Sequence, residues 1–177
     1  MAILVCPLSR APDIARARKP SHVVSLLDPG TSFPVIDGLS EHRRLRLSIH
    51  DIEIEADGLA ACAEAHIDAI LDFVTGWTGD APLLIHCYAG LSRSTATAFI
   101  TACARNPGAD ETQIAAALRQ ASPTASPNRR FVALADKALR RGGAMSRAIE
   151  AIGRGPPWHE MGEAAPFMLP ARFGDAP

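Results

Sequence analysis

Leu83, Leu84 and Ile85 form an unbroken apolar run, closed on one side by Gly79 and Pro82 and on the other by a turn around Gly90. A run that is short and apolar at every residue predicts a strand buried on both faces. Such a strand needs a covering layer above and below, which helices supply. The surrounding pattern agrees. Residues 2–8 and 23–27 are further apolar runs, the second stopped by the turn signal Asp28-Pro29-Gly30. Leu45, Leu47 and Ile49 alternate with Arg44, Arg46, Ser48 and His50, the period of two expected of a strand with one buried face.

Helical spacing takes over from about Asp57. Leu59, Cys62, Ala63, Ile67, Ile70, Leu71 and Val74 make one face, and Glu64, Asp68 and Asp72 the other. Asp57-Gly58 reads as the N-cap of this helix, and residues 76–79 end it. A helix is expected from 92–95 to the stop at Asn106-Pro107-Gly108, and another from Asp110, with Gln113 in a capping box, to Ser122-Pro123. Ser126 as N-cap, with Pro127 at the first helical position, opens a helix carrying Phe131, Leu134, Ala138 and Leu139. Gly142-Gly143 breaks it, and 145–152 makes a short last helix; a helical turn spans 13–18. Strands first, then a strand–loop–helix unit, then helices only: the expected class is α/β, one domain over residues 1–153, with a central, mostly parallel sheet flanked by helices. The Pro/Gly-rich tail, 154–177, carries Trp158, Phe167, Met168 and Phe173 and is expected to lie along the body or to be partly disordered.

Charge and cysteines narrow the function. A net charge of -1 gives no whole-chain reason to expect nucleic acid or an acidic membrane surface. Arg43, Arg44 and Arg46 cluster locally and are read as solvated arginines on one face of a strand. No apolar run approaches a membrane span, and the start lacks a basic n-region, so a cytoplasmic protein is expected. Cys6, Cys62, Cys87 and Cys103 are widely spaced, without CxxC or Cys/His ligand spacing. That argues against a disulfide framework or a structural metal site and for reduced thiols. Cys62 and Cys103 sit on apolar helix faces and are expected to be buried, while a redox role for Cys6 stays open.

The chemistry concentrates after Ile85. The buried strand delivers His86 and Cys87 to its carboxyl end, where α/β folds place their crevices. Ala89 and Gly90 allow a tight turn, Arg93 follows, and a helix begins at once. Successive N–H groups pointing inward at a helix N-terminus make an anion nest. A cysteine at that positive pole is expected to react as the thiolate. An arginine there opposes the helix dipole unless an anion occupies the site, and its planar fork matches two phosphate oxygens.

His86-Cys87-x5-Arg93-Ser94 resembles the signature of the cysteine-based protein tyrosine phosphatase superfamily, and over residues 23–139 the chain is most similar to its compact dual-specificity branch. Ser126-Pro127-Asn128 ahead of Phe131 and Leu134 is similar to a helix start of that family. The resemblance implies a tyrosine-phosphatase-like fold, no cofactor, and a two-step hydrolysis. Cys87 would attack phosphorus to give a cysteinyl-phosphate. Amides of Tyr88, Ala89, Gly90, Leu91, Ser92 and Arg93, with the Arg93 side chain, would hold the phosphoryl oxygens. Ser94 would hydrogen-bond the sulfur, His86 would position the loop, and Asn128 would support the site. The substrate would be a phosphorylated protein or a small phosphomonoester.

The leaving oxygen also needs a proton. Asp51, at the end of the 44–50 strand, fits the position the resemblance implies; Asp57 lies nearer the family's spacing, and Glu53 and Glu55 are read as solvated loop charges. A phosphoinositide or nucleotide phosphatase is the neighbouring alternative, set back by the absence of lysine from 88–92. A silent phosphate-binding module is the alternative of another class.

Overall fold

The computed structural model describes residues 1–156, 160 and 162–174. Strands β1 (Ala2–Pro7), β2 (His22–Leu27), β3 (Arg44–Ser48), β4 (Leu83–Cys87) and β5 (Phe167–Pro170) form one sheet in the order β3-β2-β4-β1-β5. The first four are parallel, and β5 joins antiparallel to β1. The apolar run that demanded cover on both faces is the central strand, every residue of it buried.

The pleat sorts the side chains into two cores. On one face Leu4, Cys6, Val23 and Leu84 meet Ala11 and Ala15 of α1 (Ala11–Arg18). On the other, Ile3, Val5, Val24, Leu26 and Ile85 meet α2 (Glu64–Thr75), α3 (Arg93–Arg105), α4 (Glu111–Ala121), α5 (Arg129–Ala138) and α6 (Ala144–Ile152). Helix α3 runs through the middle of that layer and is buried from Arg93 to Cys103. Its threonines tolerate burial because Thr95, Thr97 and Thr101 return their hydroxyls to the carbonyls of Leu91, Arg93 and Thr97, one turn back.

Several boundaries move from their sequence expectation. Helix α2 starts at Glu64, not near Asp57: Gly58 takes φ +75 in a turn, and the His66 ring, not Asp57, accepts the Ala63 N–H at the helix start, 3.0 Å. Helix α5 is capped by Asn128, two residues beyond the expected Ser126, with its side-chain oxygen accepting from the N–H groups of Arg130 and Phe131. Asp110 caps α4, accepting from the Thr112 N–H at 2.8 Å, a simple cap and not the box expected with Gln113. The arginine cluster is not simply solvated. Arg44 donates to the carbonyls of Ile36 and Leu39, pinning the 28–43 loop, and Arg46 pairs with Glu41 at 2.8 Å.

The tail beyond Gly153 contributes structure that its composition hid. Phe167–Pro170 is the fifth strand, and Leu169 and Ala171 are fully buried in the main core. Trp158, expected in the same tail, lies outside the described residues. Asn106, at the end of α3, ties this return segment down: its amide donates to Ala102 and Ala171 carbonyls at 2.7 and 3.0 Å and its oxygen accepts from the Phe173 N–H at 2.8 Å. Asn106→Ala takes these bonds from two carbonyls and a backbone N–H and should cost about 2–3 kcal/mol of stability, read by urea unfolding. A loss below about 1 kcal/mol would show that pairing of β5 with β1 holds the segment alone.

Candidate active site

Cys87 is the last residue of β4 and Arg93 the first of α3, so the loop between them joins the central strand to the central helix. Its carbonyls are turned outward. Those of Tyr88, Ala89, Leu91 and Ser92 accept from the backbone N–H groups of Leu8, Ala164, Ser126 and Asn128. In a planar trans peptide the N–H points opposite to the carbonyl. The N–H groups of Ala89, Gly90, Ser92 and Arg93 therefore point to the inside of the loop, an anion nest at the positive end of α3. Gly90 makes the turn possible twice over: its φ is +76, and a Cβ there would lie 2.9 Å from the Pro7 nitrogen. Backbone so close has nowhere to retreat.

Cys87 is almost wholly buried, with Sγ 3.1 Å from the Ser94 hydroxyl. The other three thiols are free and buried, and burial pushes each up to about 12, so they stay protonated and inert at neutral pH. Cys6 pairs in register with His86, not Cys87, which puts it on the opposite face of the sheet from Cys87. A disulfide between Cys6 and Cys87 would need the sheet to be rebuilt.

His86 is fully buried and shares a 2.7 Å hydrogen bond between Nε2 and the Ser25 hydroxyl on β2. Burial pushes its imidazole down to about 4, against a smaller opposing pull from the Cys87 backbone. It is therefore a neutral hydrogen-bonding group that locks the end of β4 to β2.

Arg93 is 3% exposed. Its Nη1 donates to the Ile49 carbonyl and to Asp28 Oδ1, the latter at 2.8 Å, and its Nε lies 3.8 Å from Asp51 Oδ2. Asp51 is held in turn: Oδ1 accepts from the Ser92 hydroxyl at 2.7 Å and from the Asn128 amide at 2.8 Å. Asn128 thus caps α5 with its oxygen and steadies Asp51 with its nitrogen. The loop carrying Asp51 is pinched shut by His50, whose N–H donates to the Ala60 carbonyl and whose Nδ1 accepts the Ala60 N–H, both at 2.8 Å.

These groups line an open cleft of about 830 Å³, with Tyr88 more than half exposed at its rim. The structure brings together Cys87, Arg93, Ser94, Asp51, Asn128 and the 88–93 loop; Asp57 is exposed in its turn and is no part of the cleft wall. Glu53, its side chain 28% exposed, corrects its reading as a solvated charge, while Glu55, 76% exposed, remains one and carries an ion pair. Glu53 accepts from the Arg129 N–H and pairs with Arg154 at 2.6 Å, while Glu55 pairs with Arg130, so both staple the Asp51 loop to neighbouring elements. Sequence reasoning missed Asp28, taken only for a turn residue. Its signal was position: like Asp51, it follows the carboxyl end of a strand close to β4. Among the described residues no group of three His, Cys, Asp or Glu is placed to hold a metal ion.

No sequence-family profile and no curated protein matches this chain. Solved structures do. The human tyrosine phosphatase-like serine/threonine/tyrosine-interacting protein is 20% identical, covering 78% of this chain and 91% of its own, with a TM-score of 0.60. Human DUSP28 is 19% identical over 79% of this chain and 93% of its own, TM-score 0.57. A mouse putative dual specificity phosphatase, solved with zinc tungstate, is 21% identical over 78% and 80%, TM-score 0.55. At such identities the likeness is one of fold: the chain has the compact dual-specificity phosphatase fold.

As the pH drops from 6.5 toward 4, an unfolded chain protonates His86 while the folded protein refuses the proton, so stability is full above pH 6.5 and falls below it. The total is on the order of 3 kcal/mol. Urea titrations between neutral and acid pH should show a shallower loss for His86→Gln than for the wild type; equal slopes would remove His86 as the source.

Proposed function

We propose that this protein is a phosphomonoester hydrolase of the protein tyrosine or dual-specificity type, acting through a cysteinyl-phosphate. The observation that carries the reading is the joint geometry of Cys87, Ser94 and Arg93 around a loop whose amides point inward.

Cys87 Sγ attacks phosphorus as the thiolate, and the S–P bond forms as the bond to the leaving oxygen breaks. Asp51 gives that oxygen its proton. The loop amides and Arg93 hold the three equatorial oxygens, where charge gathers in the transition state. Water then attacks phosphorus, Asp51 takes its proton, and the S–P bond breaks. The sulfur leaves as a thiolate, which the Ser94 hydroxyl stabilises by its hydrogen bond. His86 keeps the end of β4 in place from beneath.

The cleft wall sets Asp28, Asp51 and Glu53 against Arg93 and Arg154, with no lysine. That balance favours a substrate carrying one phosphate, on a protein or a small molecule, over an inositide or nucleotide carrying several. The described chain has no helix long and apolar enough to cross a membrane, and its four free thiols suit a reducing cytoplasm.

Purified protein should hydrolyse an aryl phosphate without added metal, and Cys87→Ser should abolish turnover while leaving the fold intact. Turnover surviving Cys87→Ser would overturn the mechanism. For the acid, Asp51→Asn should lower kcat about 100-fold on a poor leaving group, far less on a good one, and remove the limb of the pH–rate profile that the acid sets. Asp57→Asn should match the wild type, and a reversal of the two variants would move the acid to Asp57.

A further inference from the structure

The Asp28–Arg93 contact has a direction that a plain ion pair would not need. Both hydrogen bonds that the Arg93 side chain makes to described residues use one nitrogen, Nη1, which donates to Asp28 Oδ1 and to the Ile49 carbonyl. The opposite edge makes no hydrogen bond: Nε is buried and has no hydrogen-bond partner among the described residues, with Asp51 Oδ2 standing off at 3.8 Å. A carboxylate placed only to neutralise a buried cation could sit on the Nε edge just as well, where two parallel bonds form. Asp28 instead takes the far corner.

Asp28 itself is rigidly placed. It opens a turn closed by the Thr31 N–H to the Asp28 carbonyl at 3.0 Å, with Pro29 second and Gly30 third at φ +85, the requirements of a type II turn. The turn follows the last residue of β2, a strand bonded to β4 in register, so its position relative to Cys87 is set by the sheet. The Asp28 side chain is 42% exposed and lines the cleft, whereas Arg93 is buried.

On the reading of the cleft as a phosphate-transfer site, we infer that Asp28 is a positioning residue: with the Ile49 carbonyl it grips Nη1 and so holds the Nε edge of Arg93 open toward the phosphoryl group. Its negative charge works against anion binding, while its hydrogen bond orients the clamp. These two effects separate in a pair of variants. Asp28→Asn removes the charge and keeps an oxygen for Nη1. Asp28→Ala removes both. The difference between the variants reads positioning alone.

The experiment measures kcat and KM on an aryl phosphate, and the dissociation constant of tungstate, a tetrahedral dianion like phosphate, for the wild-type protein and both variants. Asp28→Ala should have a kcat about tenfold or more below that of Asp28→Asn, with KM changed much less, and should bind tungstate several-fold more weakly than Asp28→Asn. Equal kcat and equal tungstate affinity in the two variants would overturn the inference, and so would a difference carried by thermal stability alone. The tungstate arm does not depend on turnover. A wild type that hydrolyses nothing but still shows the tungstate difference would sink the proposed reaction and keep the role of Asp28.

Discussion

A guanidinium buried at the amino end of a helix is the constraint around which this molecule is arranged. Helix dipoles favour anions at that end, so Arg93 sits against the field of α3 while almost cut off from water. Three neighbours offset the cost: Asp28, the Ile49 carbonyl and, at longer range, Asp51. Each lies at or just past the carboxyl end of β2 or β3, the two strands on one side of β4. A parallel sheet delivers those ends to one rim, and the strand order therefore decides which groups can reach the arginine. An arrangement made only for stability would place an apolar residue here, as replacing buried ion pairs commonly shows. The charge is retained here all the same, held by two hydrogen bonds and one longer contact.

The same rim explains the polar residues that are buried elsewhere. His86 and Ser25 bond across the strand pair, and the carbonyls of Tyr88, Ala89, Leu91 and Ser92 are taken up by N–H groups from three separate segments. With the carbonyls fixed outward, the amides have no freedom to turn away, so the nest is ready before any ligand arrives. This is preorganisation in the electrostatic sense: the dipoles are oriented by folding itself.

Much of this was legible in sequence because periodicity and turn chemistry are local. The central strand, the loop after it and the buried helix follow from an apolar run, a glycine and a helical spacing that the structure keeps. Errors arose where two local rules competed. Leu59, Cys62 and Ala63 continue the helical spacing of α2 backwards, but the left-handed Gly58 and the cap at Ala63 start the helix later. Ser126-Pro127 satisfies the rule for a helix start, yet Asn128 takes the cap because its amide can also reach Asp51, a partner 77 positions away in the chain. Asp28 was hidden by its own turn: Asp-Pro-Gly explains itself locally, and only the strand order shows that the carboxylate faces an arginine.

The tail is the sharpest case of a long-range signal without a local one. Phe167–Pro170 has only four residues, ends in proline, and stands among glycines and prolines that suggest no regular element. It becomes a strand because β1 would otherwise present an open edge next to the central strand. Proline is acceptable there because β5 is itself the outer strand. The consequence reaches the cleft. On its way to β5 the chain places the Arg154 side chain on Glu53 and the Ala164 N–H on the Ala89 carbonyl, the first steadying the Asp51 loop and the second the 88–93 loop. The segment that composition marks as an appendage is, in its contacts, a brace shared by the Asp51 loop and the 88–93 loop.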